Sequence, residues 1–361
     1  MTVLFLVRLF YPHVGGVEKH VFELSKRLVR DGQKVIIIAE DLPKSHSDYS
    51  QSGDLSTKIM EELQGIEIYR IPLSSDFQEG SAAEKRKKFL IWAWLWRHQN
   101  LIASADIIHC HDVFFWYLPF RFLYPQKPVY ITFHGFEGKC PPAKKAIFVR
   151  KISEKLSWGN ICVGDFIKKW YGTNPNFVVY GGVTLEGKNK PNEKERKNNK
   201  TKIVFIGRLE KDTGILNYLE VLKFLKRKNI AFTFEAFGDG RLRNVTESFG
   251  KVYGFVQNLN DYIQTGDIFF TSSYLSLLEL LTNKKFVIAM YDNPLKEDYL
   301  KMSPFAKWIT IESSPQKVSK AIASFLKYPT TRAKVIEQGY EWARKQTWDN
   351  VVEKYISLWH V

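Results

Sequence analysis

The sequence predicts an α/β fold: two doubly wound domains facing each other across a cleft. Three observations carry that expectation. Short, continuous apolar runs recur along the 361 residues, as in strands buried on both faces of a parallel sheet. Glycine turns and helical patterns separate these runs. A basic stretch without large apolar residues splits the series in two, and the length suits two domains of roughly 100–200 residues each.

Residues 3–7 form the first apolar run. Tyr11-Pro12-His13-Val14-Gly15-Gly16 follows as a turn. Residues 17–30 read as a helix, with Val17, Val21, Leu24 and Leu28 at helical spacing and Gly32 closing it. With a second strand at 35–39, this is one right-handed βαβ unit. Further strands are expected at 66–71, 107–109, 129–133, 161–163 and 178–180, with helices at 89–98 and 143–156. The first domain is taken as 1–185, the linker as 186–201 and the second domain as 202–340. In the second domain, strands are expected at 202–206, 232–237, 252–255, 268–271 and 286–289, with a helix at 215–226. Residues 335–359 read as one or two amphipathic helices.

Hydrophobic residues make up 45% and charged residues 25%, an ordinary globular mix that excludes global disorder. The formal net charge of +15 fits a polyanionic or membrane-surface partner, or a soluble protein from a Lys-rich proteome. None of the usual nucleic-acid recognition modules is present, so no nucleic acid partner is expected. Cys110, Cys140 and Cys162 form no C-x-x-C pair, which argues against a zinc knuckle or disulfide framework and fits a reducing compartment. Arg8 interrupts the N-terminal apolar run too early for a signal peptide, and residues 89–96 fall far short of the roughly 20 needed to span a bilayer. The expected location is cytoplasmic, with peripheral contact on the inner membrane face. Residues 85–97 carry Lys-Arg-Lys-Lys followed by an aromatic-rich run. That composition suits an interfacial helix on anionic lipid, or an ordinary helix packed on the sheet; Trp92, Trp94 and Trp96 cannot all face one way.

Ligands of open parallel sheets bind beyond the carboxyl ends of the strands. Gly15 and Gly16 lie at such an end, just before a helix whose N–H groups attract phosphate; the plainer reading is a tight turn. Arg208, after Gly207 and the strand 203–206, would point into the cleft and grip a diphosphate, or else pair with Glu210 on the surface. Glu279 sits in an apolar stretch and needs a partner: a ribose diol fits, as does the positive end of a helix. His109, His111, Asp112 and His134 cluster at two more strand ends. Without a ligand-spaced pair, they are read as polar contacts to sugar hydroxyls rather than as a metal site.

Together these motifs resemble the retaining GT-B glycosyltransferases, a group that includes bacterial mannosyl- and glucosyltransferases of cell-envelope synthesis. The resemblance covers nearly the whole chain. It rests on residues 10–18 (Phe-Tyr-Pro-His-Val-Gly-Gly-Val-Glu), His109 to Asp112, Phe133-His134-Gly135, Phe205-Ile206-Gly207-Arg208-Leu209, Phe237-Gly238-Asp239-Gly240, Tyr253-Gly254-Phe255-Val256 and Trp348-Asp349. It implies two Rossmann-like domains, an acceptor domain followed by a donor domain, with residues 341–361 as a helix returning to the first. It implies transfer of a hexosyl unit from a nucleoside-diphosphate sugar to a glycan or lipid-linked acceptor, with no cofactor and no metal. Gly15 and Gly16 would meet donor phosphate and Arg208 the diphosphate. Gly238, Phe255 and Val256 would lie near the base, Glu279 would hold the ribose, and Lys211, Tyr274, Ser276 and Leu277 would also bind the donor. His111 or His134 would approach the donor sugar, and Glu18, Lys19 and Asp112 the acceptor.

The chain departs from the family pattern at two places. The usual lysine after the arginine is Thr213 here, with Lys211 nearby as a substitute. The paired-glutamate motif is shortened by about four residues ahead of Glu279. Two other readings stand beside glycosyl transfer: a sugar-nucleotide epimerase or hydrolase, which shares the architecture but needs no acceptor, and a catalytically silent nucleotide-sugar-binding protein, suggested by the altered donor loop.

Overall fold

The computed structural model describes residues 1–41, 60–73, 81–136, 138–185, 200–256 and 259–360. Most of the expected linker, 186–199, lies outside them. The first lobe runs β1 (Thr2–Val7), α1 (Gly16–Arg30), β2 (Lys34–Glu40), β3 (Met60–Leu63), β4 (Ile66–Ile71), α2 (Ser81–Arg97), α3 (Gln99–Ser104), β5 (Ile107–His111), α4 (Phe114–Leu123), β6 (Val129–Phe133), α5 (Lys144–Leu156), β7 (Gly159–Val163), α6 (Phe166–Tyr171) and β8 (Phe177–Val179). The second lobe runs β9 (Thr201–Ile206), α7 (Ile215–Arg227), β10 (Phe232–Phe237), α8 (Arg243–Glu247), β11 (Lys251–Val252), α9 (Asn260–Thr265), β12 (Ile268–Phe270), α10 (Tyr274–Thr282), β13 (Phe286–Met290), α11 (Pro294–Lys301), β14 (Thr310–Glu312), α12 (Pro315–Lys327) and α13 (Ala333–Ala343). The last helix, α14 (Trp348–Trp359), follows.

Among the described residues, the first sheet is ordered β3-β4-β2-β1-β5-β6-β7-β8 and the second β11-β10-β9-β12-β13-β14. Every described pairing is parallel except β3 with β4. The chain is therefore two Rossmann-like α/β lobes. In each sheet the strand order reverses beside the first strand of its lobe: between β1 and β5, and between β9 and β12. These are the topological switch points, where α/β sheets open a crevice at their carboxyl ends.

The apolar runs follow from burial on both faces. Val3, Phe5 and Val7 of β1 pack with α1 on one side, and Leu4 and Leu6 pack with α2 and α4 on the other. In the second lobe, Ile203 and Phe205 pack with α7 and α12. Helix α14 leaves the second lobe and lies on α1 of the first. Arg30 donates to Asp349 Oδ1 at 2.8 Å, and Val351, Val352 and Tyr355 join the core containing Val21 and Leu24.

Candidate active site in the interdomain cleft

At the first switch point, α1 opens at Gly16, with Gly15 extended before it and no side chain capping the helix. The Glu18 carboxylate folds back to this end, close enough that a Cβ on Gly15 would lie 2.2 Å from its Oε2. It also lies 3.0 Å from His13 Nδ1. The anion at the positive end of α1 is thus the chain's own. Lys19, one residue on, reaches across to the second lobe and bonds Glu279 Oε1.

Glu279 is partly buried in the second half of α10, the helix that begins beside the second switch point. The helix-N-terminus reading of this carboxylate is therefore corrected: its partner is an ammonium from the facing lobe. The pair also shows that the two crevices face one another. Two neighbours expected at the donor point elsewhere. Leu277 is fully buried in the core. Tyr274 stacks on Tyr299 with ring centres 4.0 Å apart, and its hydroxyl donates to Tyr299 O. Burial keeps the leucine side chain in the core, and the tyrosine ring is held internally, packed also against Tyr180 of the first lobe with ring centres 5.3 Å apart. Ser276 is half-buried.

The loop after β9 is built on close backbone approach. Gly207 N–H donates to Phe237 O at 3.0 Å, and Gly238 N–H donates to Gly254 O at 2.8 Å. A Cβ on Gly238 would come 1.9 Å from Gly207 O, and φ there is +141°, so only glycine fits. Gly238 thereby sets the position of Gly207 and Arg208. Arg208 is exposed and donates to Asp212 Oδ2 at 2.6 Å. Its expected surface partner, Glu210, instead accepts from the Arg241 N–H at 3.0 Å. Lys211 is exposed, while the Thr213 hydroxyl turns back to Arg208 O at 2.8 Å. Phe255 and Val256 are half-buried beyond β11.

Sequence reasoning passed over Lys296. It is buried at the start of α11, and its Nζ donates to Asp212 O at 3.0 Å, below the loop that carries Arg208. Burial lowers its pKa. A lysine three residues into a helix that opens after a strand end was the available signal.

Four histidines meet beneath the first switch point: His20, His109, His111 and His134. His111 is buried, with Nδ1 2.8 Å from His134 Nε2 and its own Nε2 without a partner. His134 is only half-buried, and its backbone N–H donates to Asp112 Oδ1 at 3.1 Å; Asp112 is exposed, with φ +62°. Of the two candidates for the donor sugar, His134 is thus at the cleft and His111 lies behind it. Among the described residues, no three His, Cys, Asp or Glu are grouped to hold a metal ion.

The other two histidines join a relay fixed at its C-terminal end. The Trp359 indole can only donate, and it does so to His109 Nδ1 at 3.0 Å. Neutral His109 then donates from Nε2 to Thr132 Oγ1 at 2.8 Å, Thr132 to the Tyr355 hydroxyl at 2.8 Å, and Tyr355 to His20 Nε2 at 2.9 Å. Burial lowers the His20 pKa to about 3. Burial, reinforced by neighbouring histidines, holds His109, His111 and His134 well below the usual imidazole range.

Comparison with known proteins agrees with this architecture. The sequence profile of Glycosyltransferase Family 4 matches residues 14–186, and that of Glycosyl transferases group 1 matches residues 187–342. One subunit of the human phosphatidylinositol N-acetylglucosaminyltransferase is 28% identical over 105 residues, which is 29% of this chain and 19% of that protein. The match thus spans about a fifth of that relative's length. An uncharacterised glycosyltransferase of Methanocaldococcus jannaschii is 22% identical, with 93% of each chain covered. Among solved structures, sucrose-phosphate synthase from Thermosynechococcus elongatus superposes with a TM-score of 0.76 at 13% identity, covering 99% of this chain and 98% of that one. The Anabaena protein HepE, in complex with UDP and glucose, gives 0.70 at 13% identity, covering 98% of each. Both lobes of this chain match glycosyltransferase profiles and both lie in the corresponding two-lobe architecture: the chain belongs to the glycosyltransferases of the GT-B fold.

Proposed function

We propose that the chain moves a hexosyl unit from a nucleoside-diphosphate sugar to a hydroxyl of a glycan or lipid-linked acceptor, with retention at the anomeric carbon and without a metal ion. The observation that carries this is the meeting of Lys19 and Glu279, which brings the two switch-point crevices face to face. In this reading the second lobe holds the nucleotide, with Arg208 on the diphosphate and Glu279 on the ribose, and the first lobe presents the acceptor. Rate enhancement comes from orienting the two reactants and from neutralising the departing diphosphate. His134, at the cleft, contacts the donor sugar, and His111 orients it from behind.

The HepE complexes with UDP and with UDP-glucose make uridine diphosphate sugars the first donors to assay. The name of the human relative makes a phosphoinositide-type lipid a first acceptor to assay. Peripheral contact with an anionic membrane through residues 85–97 completes the proposal; none of the described helices is long and apolar enough to cross a bilayer. The test is donor consumption with and without acceptor, with analysis of the product's anomeric form. Arg208→Ala should lower turnover by at least about 100-fold, the scale of removing one stabilising donor from a transition state. Unchanged turnover refutes the role. Donor loss without acceptor glycosylation identifies a hydrolase or epimerase instead.

A further inference from the structure

The outer surface of the first lobe carries an apolar face that the fold does not use. Helix α5 is inside out: it buries Arg150 and Ser153 and exposes Phe148 (65%), Val149 and Ile152. Arg150 lies under the helix, its guanidinium carbon 3.9 Å from the Tyr171 ring centre. The exposed trio has the i, i+1, i+4 spacing of one helical stripe, so its position on the water side is systematic. Neighbouring elements extend the face. Phe122 (70%) and Leu123 end α4, whose Arg121 Nε donates to Leu156 O at 2.8 Å, and Trp158 follows α5 directly. On the other side of α4, Trp96 is exposed 6.2 Å from the Phe120 ring, and Phe89 (68%) stands one to two turns earlier on α2.

The rim is basic. Lys144, Lys145, Lys151 and Lys155 flank the α5 stripe, and Lys85, Arg86 and Arg97 flank the one on α2; all are exposed. Residues 81–158 contain 13 Lys and Arg against 5 Asp and Glu. Exposed aromatics inside a ring of long cationic side chains fit the boundary of an anionic bilayer: rings enter the acyl edge while the ammonium groups reach the phosphates. A second copy fits poorly, because a two-fold pairing would set this basic rim against itself.

We propose that the face formed by α2, the end of α4, α5 and Trp158 docks the first lobe flat on an anionic lipid surface, with Phe148 and Ile152 as its centre. This deepens the membrane contact proposed above and moves its centre from α2 to α5. On α2 itself, Trp94 is buried and Trp92 Nε1 donates to Phe115 O at 2.8 Å, so only part of that helix faces outward.

The test is flotation of the full chain with phosphatidylcholine vesicles containing or lacking phosphatidylglycerol. Binding should require the anionic lipid and weaken with salt. The double variant Phe148→Ser/Ile152→Ser should bind at least about tenfold more weakly, the scale of losing one to two buried apolar side chains. Lys145→Glu/Lys155→Glu should lose the preference for anionic lipid. Both pairs are exposed, and an unchanged melting temperature confirms an intact fold. Uridine diphosphate binding, read by calorimetry, should be unaffected by both double variants, which separates failure of the docking face from failure of the catalytic reading. Absence of binding by the wild type, or equal binding by Phe148→Ser/Ile152→Ser, overturns the proposal. So does a wild-type dimer that the same variant dissociates.

Discussion

Acidification from pH 7 to 5 should destabilise this fold through its buried histidines. The His20 pKa is about 3 in the folded chain against 6.5 for a free imidazole, the cause being burial. Between those values the unfolded chain binds a proton that the folded chain refuses, so stability rises with pH across the window and falls on acidification. At about 1.4 kcal/mol per pH unit, the 1.5 units from 6.5 down to 5 cost about 2 kcal/mol for His20 alone. His109 and His111, both buried, act in the same direction. At His20 and His109 the relay acts beside burial. A proton on His109 Nδ1 would face the Trp359 indole N–H, and one on His20 Nε2 would meet the proton that Tyr355 already donates. Asp349 does not mimic the effect: it is held below its ordinary 3.8 by Arg30, so it titrates below the window.

The assay is urea unfolding followed by tryptophan fluorescence, which Trp348 and Trp359 beside the cluster should report, at pH 7, 6 and 5. The loss at pH 5 is expected to be a large share of the 5–15 kcal/mol typical of folded proteins. His20→Gln removes one titrating group while leaving Tyr355 an acceptor, so its loss should be about 2 kcal/mol smaller than that of the wild type. A free energy that changes by less than about 0.5 kcal/mol between pH 7 and 5, or a variant that falls in parallel with the wild type, refutes the reasoning.

Three further outcomes are expected. Tyr355→Phe leaves His20 Nε2 and the Thr132 hydroxyl without the partner they share and should cost about 1–3 kcal/mol, read as a lower urea midpoint at unchanged slope. Gly238→Ala drives a methyl group into Gly207 O and demands a strained φ; about 2–5 kcal/mol should be lost, along with donor turnover, because Arg208 moves with that loop. Lys19→Met frees Glu279 from a partly exposed ion pair worth about 0–1 kcal/mol, so stability should barely change while calorimetry shows uridine diphosphate binding up to about fivefold tighter. Weaker binding would mean that Lys19 itself contacts the ligand.

The strands were legible wherever an apolar run is bounded by turn residues. The expected 66–71, 129–133 and 232–237 coincide with β4, β6 and β10. Helix α4 was not: Phe114–Leu123 is apolar almost all round and contains Pro119, so it shows neither helical periodicity nor a clean break. The edge strand β3 was missed because Met-Glu-Glu-Leu offers no apolar run; it pairs antiparallel with β4 and is exposed along one side. The expected strand 252–255 shortens to Lys251–Val252 because Gly254, at φ +76°, turns the chain back to bridge Gly238. In the cleft, glycines and the arginine at strand ends could be named from local pattern, since chain ends of parallel strands gather there. Partners could not. Lys19 and Glu279 lie 260 residues apart, and Thr132 and Tyr355 223, so no spacing rule connects them.

Those unseen partners bear on how the cleft would exchange ligands. Two charged groups near the switch points are neutralised within the chain, Arg208 by Asp212 and Glu279 by Lys19, while Glu18 lies at the N-terminus of α1, 3.0 Å from His13 Nδ1. On the proposed function, a nucleotide sugar would exchange partners rather than meet bare charges, and its affinity would be a difference between two sets of contacts. The exchange is cheap where the pairs are exposed, since such pairs contribute only about 0–1 kcal/mol each. Arg208 and Asp212 are both largely exposed, so a diphosphate with two charged oxygens in a fixed fork competes well for that guanidinium. Lys296 differs. It is buried, bonded to a backbone carbonyl, and cannot be traded without reopening the loop, so it serves as the fixed floor beneath an exchangeable set of surface charges.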